Sequence, residues 1–308
     1  MIGGNDILLE SGTNEMELME FTIAGQAFGI NIAKVREIMK CMPVKPMQNA
    51  HELIKGIFKP RDQVITVLSL DKYLSLPESR FPERDIFMIT EFNGQTIAFH
   101  VHSVVGIDRV SWKDIQKPDQ IIYGGEEGVA TGIVEYDNRL ITILDFEKII
   151  AELSSGSSIR VDDVRHMGVR AKKETPILLA EDSALLGKLI ADSLRAAGYT
   201  NIIKLDNGQE AYDYLTELKN GGAIVDREVA LIISDIEMPQ MDGHRFLKLV
   251  KEDATLRQIP FVLFSSLIND EMRVKGEQLG ADAQLSKPQI VNLISTVDML
   301  LKKVGKGA

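Results

Sequence analysis

From Pro176 onward the chain alternates short apolar runs with longer amphipathic ones, and that order admits few folds. Runs at Pro176–Ala180, Asn201–Lys204, Val229–Ser234, Phe261–Phe264 and Ala283–Leu285 read as strands. Between and after them, Leu185–Ala197, Gln209–Lys219, Gly243–Lys251, Glu271–Leu279 and Ile290–Lys302 carry the apolar spacing of helices. Strands separated by helices cannot pair as hairpins, so the expected architecture is α/β, a doubly wound five-stranded parallel sheet. Gly198, Gly221-Gly222 and Gly280 follow helical stretches, where C-terminal caps stand.

Charge collects where those strands end. Glu181-Asp182 follow the first, Asp235 the third and Lys287 the fifth, with Pro288 behind it. Ser265 ends the fourth, and Ser266 beside it is small enough to leave an approach open. The carboxyl ends of parallel strands share one crevice, so these side chains should meet. Two carboxylates about 5 Å apart repel by roughly 3 kcal/mol at an effective dielectric near 20, so three of them call for a cation. A hard divalent ion such as Mg²⁺ suits an all-oxygen set. Asp235, at the end of the most apolar run, then becomes a metal-supported oxygen nucleophile toward phosphorus. Lys287 would pair with it before reaction and with phosphoryl oxygens afterwards, and the Ser265 hydroxyl would hydrogen-bond one of them. Singly, each residue has an ordinary use: a turn or cap aspartate, a helix-start acid pair, a solvated lysine. Jointly, their order along the strand ends favours the site.

The preceding half is built differently. Ser154-Ser155-Gly156-Ser157-Ser158 and the charged stretch 159–173 read as a linker, and before it apolar residues alternate with period two. That half is internally duplicated. Gly25-Gln26-Ala27-Phe28-Gly29-Ile30-Asn31-Ile32 recurs as Gly94-Gln95-Thr96-Ile97-Ala98-Phe99-His100-Val101, and Gly56-Ile57-Phe58 with Val64–Leu68 recurs as Gly132-Ile133-Val134 with Leu140–Leu144. Ala24-Gly25 and Asn93-Gly94 supply hairpin turns, so two similar all-β lobes follow. The copies share apolar positions but no polar constellation, which describes a scaffold. Their departures are informative: Arg61 has the acidic Asp137 as its counterpart, and Arg36-Glu37 stand where the second copy has Val105-Gly106. Arg61 is thus no requirement of the lobe core and is a candidate for a specific contact; an exposed pair contributes only about 0–1 kcal/mol, so recognition is the better use for Arg36-Glu37. A plain solvated hairpin remains the alternative for Arg61.

At 308 residues the chain exceeds a single growing core, so two domains are expected. A net charge of -10 argues against nucleic-acid or anionic-membrane partners and leaves proteins. Cys41 is the single cysteine, no zinc spacing exists, and no leader or membrane-length apolar run is visible, so a cytoplasmic protein is expected. His100 and His102 could form a metal pair, but without a visible third ligand an ordinary half-exposed strand is favoured. His244 reads as a surface helix residue, Trp112 as packing and Cys41 as inert.

The run Ala33-Lys34-Val35-Arg36-Glu37-Ile38, with Leu53–Ile57 and Arg61–Leu70, resembles the CheW family of chemotaxis coupling proteins over about Glu15 to Leu153. The resemblance implies a two-lobed β adaptor joining chemoreceptors to a histidine kinase, with Glu37 and Arg61 on the partner surface and Val35 and Ile38 supporting it. The family usually has Arg-Gly at the hairpin, whereas Asp62 follows Arg61 here.

Asp235-Ile236-Glu237-Met238-Pro239-Gln240-Met241-Asp242-Gly243 and the strand-end set resemble the receiver domain of two-component response regulators, a flavodoxin-like fold. By that resemblance Asp235 is phosphorylated, Asp182 and Asp235 bind Mg²⁺ with the Glu237 backbone carbonyl, and Glu181 acts mainly through water. Ser265 and Lys287 take the switch-hydroxyl and conserved-lysine roles. Receivers often carry an aromatic residue shortly before that lysine; here the place holds Gln284.

The whole chain thus resembles the CheV-type fusion: a coupling domain over 15–153, a linker over 154–174 and a receiver over 175–304. A phosphoprotein adaptor, not a turnover enzyme, is expected, held at membrane-bound arrays through methyl-accepting chemoreceptors and the kinase. The competing enzyme reading is a Mg²⁺-dependent phosphatase or phosphotransferase with an aspartyl nucleophile and Glu237 as acid/base. Nothing between Asp235 and Lys287 is long enough for its substrate-enclosing cap. A transcription factor would need a basic reading helix, which is not visible.

Overall fold

A computed structural model describes residues 14–92, 95–117, 128–153, 164, 171–266, 270–287, 289–303 and 305. The chain divides into two compact units, one of Met16–Asp119 with Val129–Ile149, the other mainly Ile150–Ala308.

In the first unit, β1 (Glu15–Ile23), β2 (Gln26–Asn31), β3 (Val35–Lys40), β4 (Ile54–Phe58) and β5 (Ile65–Ser69) form the first copy of the duplication. The second is β6 (Ile86–Phe92), β7 (Gln95–Val101), β8 (Ser103–Ser111), β9 (Ala130–Tyr136) and β10 (Arg139–Leu144). Short α1 (Leu70–Tyr73) follows β5, and α2 (Phe146–Leu153) follows β10. Two five-stranded sheets result, ordered β8-β1-β2-β10-β9 and β3-β6-β7-β5-β4. Each sheet therefore combines the first two strands of one copy with the last three of the other, an exchange that the duplication alone does not reveal.

Local chemistry accounts for the crossing. After β2 the Asn31 side chain accepts the Ala33 N–H at 3.0 Å, capping a 3₁₀ turn over Ile32–Lys34 that turns the chain out of its sheet. At the equivalent corner the His102 N–H donates to Thr22 O at 3.0 Å and the Thr22 and Ser103 hydroxyls lie 2.6 Å apart, hooking β8 onto β1. The β1–β2 hairpin turns on Ala24 (φ 51°) and Gly25 (φ 79°), the left-handed pair whose twist matches the strands. Its counterpart between β9 and β10 uses Asp137 and Asn138, while Asn93-Gly94 lies outside the described residues. Asp62 has no positive φ, so the β4–β5 turn forms without the glycine usual after Arg61. Phe146 of α2 packs 4.8 Å from Phe99 and 6.2 Å from both Phe21 and Phe92, touching strands of both sheets. Trp112 is buried in a second cluster with Leu18, Val134 and Ile141, as its packing role requires.

The second unit winds as its pattern dictates, with the one-turn α5 added: β11 (Ile177–Ala180), α3 (Ala184–Ala196), β12 (Ile202–Leu205), α4 (Gly208–Asn220), α5 (Val225–Glu228) and β13 (Leu231–Ser234). It continues through α6 (Gly243–Glu252), β14 (Phe261–Ser265), α7 (Asp270–Leu279), β15 (Ala283–Ser286) and α8 (Ile290–Lys303). The sheet is parallel throughout, in the order β12-β11-β13-β14-β15. One apolar cluster, including Ile190, Leu194 and Val297, covers one face, and another, including Leu215, Phe246 and Leu247, covers the other. Gly198, Gly222 and Gly280 have φ of 96°, 77° and 89°, the left-handed caps expected, whereas Gly221 stays helical. Strand order reverses between β11 and β13, which places the crevice at their carboxyl ends.

Candidate functional site

Ala180 and Ser234 pair in register, so Glu181 and Asp235 leave the sheet side by side, and the Asp235 N–H extends the ladder to Ala180 O at 3.0 Å. Ser265 pairs with Ser286, and the Lys287 N–H reaches Ser265 O at 3.1 Å, which brings the fifth strand's end to the same edge. Glu181, Asp235 and Lys287 are all buried. The Lys287 ammonium lies 2.9 Å from Asp235 Oδ2 and 2.8 Å from Glu181 Oε2. Asp182 is half-buried, and one carboxylate oxygen from each of Glu181, Asp182 and Asp235 falls within 4.8 Å of the others. Three carboxylates against one ammonium leave two negative charges, the charge and donor chemistry of a hard divalent ion.

The loop after β13 is held by close backbone approaches. Asp235 Oδ1 accepts the Ile236 N–H at 2.6 Å, which orients the carboxylate. The Gly243 N–H donates to Ile236 O at 2.8 Å, and a Cβ at Gly243 would collide with Asp235 O. Asp242 then caps α6 by accepting the Arg245 N–H at 2.9 Å. Ser265 is fully buried at the end of β14, and Glu237 and Ser266 are half-buried. Pro288 lies outside the described residues. The link from Lys287 to Glu181 was not legible in the sequence, because only the β11–β13 register puts Glu181 beside Asp235.

His244 is buried, not on the surface as its helix pattern implied: α6 turns it inward, and burial pushes its pKa down to about 3. In the first unit, Glu37 and Arg61 meet at 3.1 Å on the exterior, with Ile38 exposed and Val35 half-buried beside them. Sequence reasoning missed their setting. Gln63 Nε2 donates to Thr96 Oγ1 at 3.0 Å, and the Arg36 guanidinium lies 3.5 Å from Glu91 and 3.4 Å from Thr96. These contacts join the β4–β5 hairpin and β3 to the ends of β6 and β7.

The histidine pair also stands corrected. His100 is buried, with Nε2 2.8 Å from Asp85 and Nδ1 3.3 Å from the Lys55 ammonium, and His102 Nδ1 accepts the Ala24 N–H at 3.0 Å. Asp71 and Asp85 supply the carboxylates not visible nearby in sequence, and the Lys55 ammonium occupies the side of His100 that faces away from Asp85. Burial first and Lys55 second lower the pKa of His100, against the pull of Asp71 and Asp85. Burial opposes ionisation of Asp71, yet bonds from the Ser69 hydroxyl and Lys72 amide, with His100 and Lys55, hold its pKa below the usual range. Burial, with Asp85 adding to it, pushes Cys41 up to about 12, so that thiol is not a nucleophile near neutral pH.

Two family models match: the CheW-like domain over residues 17–154 and the response regulator receiver domain over 177–298. The chemotaxis protein CheV3 of Helicobacter pylori is 29% identical over 97% of both chains, and CheV2 of the same organism 26% over 87% of this chain and 88% of its own. The CheW protein of Treponema pallidum is 26% identical across 44% of this chain and 83% of its own. The duplicated β scaffold and the parallel-sheet unit with its acidic edge define a coupling adaptor fused to a receiver. The chain belongs to the CheV-type chemotaxis coupling proteins. Adaptors of this type are generally non-enzymatic, and receiver domains generally bind Mg²⁺. Among the described residues no helix is long and apolar enough to cross a membrane.

Proposed function

We propose that the coupling domain, over 15–153, tethers methyl-accepting chemoreceptors to the histidine kinase, and that the receiver, over 175–304, accepts a phosphoryl group on Asp235. The linker of 154–174 joins them. The observation that carries the second half is the three-carboxylate cluster with Lys287 paired to both Glu181 and Asp235. In the step, the N–P bond of the kinase's phosphohistidine breaks, an O–P bond forms at an Asp235 carboxylate oxygen, and the imidazole leaves with its electron pair. Asp182, Asp235 and the Glu237 carbonyl would hold Mg²⁺, with Glu181 acting through water, and the chemistry such an ion would supply there is neutralisation of charge on the transferring group. Lys287 passes from Asp235 to a phosphoryl oxygen, and Ser265 donates to another. No external substrate is turned over, and the transfer either alters coupling or drains phosphoryl groups from the kinase.

Between Asp235 and Lys287 the described chain is spent on α6, β14, α7 and β15, the winding of the sheet itself, so the phosphatase alternative has no cap. On the adaptor half, Glu37 and Arg61 with Val35 and Ile38 form the partner surface, which keeps the protein at cytoplasmic receptor arrays through protein contacts. Radiolabelled phosphorylated kinase mixed with Mg²⁺ and the protein tests the acceptor. Label is expected on the wild type and not on Asp235→Asn, and equal labelling of both would contradict it.

A further inference from the structure

Gln284 lies on β15, the edge strand next to β14, opposite Leu263 in the register. Its neighbours Ala283 and Leu285 pack into the apolar cluster on the α3/α8 side of the sheet. Its own side chain turns the other way, to α7, where Nε2 donates to the Arg273 carbonyl at 2.7 Å. Oε1 is buried and finds no hydrogen-bond partner among the described residues. Gly276, buried three residues beyond Arg273, makes the room: a Cβ there would lie 2.6 Å from Gln284 Cδ and would collide with Oε1.

Taken singly, both choices are poor. A glycine inside a helix lowers its stability relative to alanine, and a buried amide oxygen with no partner is unfavourable. They make sense together, because each requires the other, and paired departures from local preference mark functional positions. The carbonyl that Gln284 engages belongs to the middle of α7, whereas β15 leads directly into Lys287 and is paired with the strand of Ser265. The amide therefore ties α7 to the strand ends that frame Asp235.

We propose that Gln284 and Gly276 form a clamp that fixes α7 against β15, and that phosphorylation of Asp235 opens it. The coupling half rests on the phosphoacceptor reading above. The unserved oxygen opposes the clamp as the Nε2 bond holds it, which lowers the cost of releasing the helix. Drawing Ser265 and Lys287 toward a phosphoryl group shifts β14 and β15 relative to α7 and breaks the bond to Arg273. Signal then leaves the pocket by release of a helix, in place of an aromatic side chain changing rotamer.

Hydrogen exchange on the full-length protein tests this. Gln284→Leu, which keeps bulk and removes the donor, is expected to speed exchange of the α7 amides at least tenfold while β11 and β13 keep wild-type rates. Gly276→Ala is expected to act the same way, although alanine is the better helix former. Slower or unchanged α7 exchange in both variants would overturn the clamp. Beryllofluoride with Mg²⁺, an acyl-phosphate mimic, is expected to raise wild-type α7 exchange toward the variant rate and to leave Gln284→Leu little changed. Bound beryllofluoride, seen by ¹⁹F NMR, with no change in α7 would overturn the coupling alone. Absence of binding would remove the phosphoacceptor reading and the coupling with it, the clamp still being decided by the two variants.

Discussion

Lys287 holds one ammonium 2.9 Å from Asp235 and 2.8 Å from Glu181 in a buried crevice, so it stands in for part of the charge that a metal would bring. Removing it leaves the three carboxylates uncompensated. Lys287→Ala is therefore expected to bind Mg²⁺ about tenfold more tightly, since a competing positive charge is gone, measured by calorimetric titration. The same variant is expected to accept phosphoryl groups more slowly, because the ammonium that would meet a phosphoryl oxygen is gone. His244 gives a second residue-scale expectation. Its folded pKa of about 3 lies below the unfolded value, so its contribution to stability is complete above about pH 6.5 and is lost as pH falls below it. Between pH 7.5 and pH 5 about 2 kcal/mol should disappear in denaturant titrations, and His244→Phe should flatten that slope. Asp235 and Lys287 were legible because a strand end is a sequence position. The burial of His244 was not, because half the residues of α6 are polar and the sequence does not say how far around the helix its neighbours cover it.

The long elements of the receiver were legible nearly to the residue, since strand and helix periods alternate there; the four residues of α5 are too few to show a period. In the first unit the duplication identified which segments are equivalent but not which sheet each joins. That choice rests on two corners, Asn31 with its 3₁₀ turn and Thr22 with Ser103, whose residues are far apart in sequence. Gln284 marked a departure from the usual receiver; its partner Gly276 became visible only once α7 was placed. The exchange of strands also sets Glu20 of β1 in full burial, with Arg139 at the head of β10 reaching it at 2.6 Å. Arg139 is partly exposed and can be solvated alone; Glu20 cannot. Arg139→Ala is thus expected to destabilise the first unit by about 3 kcal/mol and Glu20→Gln by less, read from urea midpoints of the full chain. Equal losses would mean that the buried carboxylate does not depend on this pair.

For the whole molecule, the two halves give each other meaning. An acidic crevice with a lysine would serve a hydrolase or a phosphoacceptor equally, and a duplicated β scaffold alone would be a passive coupler. Joined in one chain of the CheV type, they carry the proposal of an adaptor that takes phosphoryl groups from the kinase it couples. The most direct measurement is the decay of phosphohistidine on the kinase bound to receptor-containing vesicles, followed with wild type, Asp235→Asn and Arg61→Glu. The account predicts rapid decay with the wild type and slow decay with Asp235→Asn despite equal co-sedimentation. With Arg61→Glu, decay should slow and co-sedimentation should fall together. Equal decay with wild type and Asp235→Asn would contradict it.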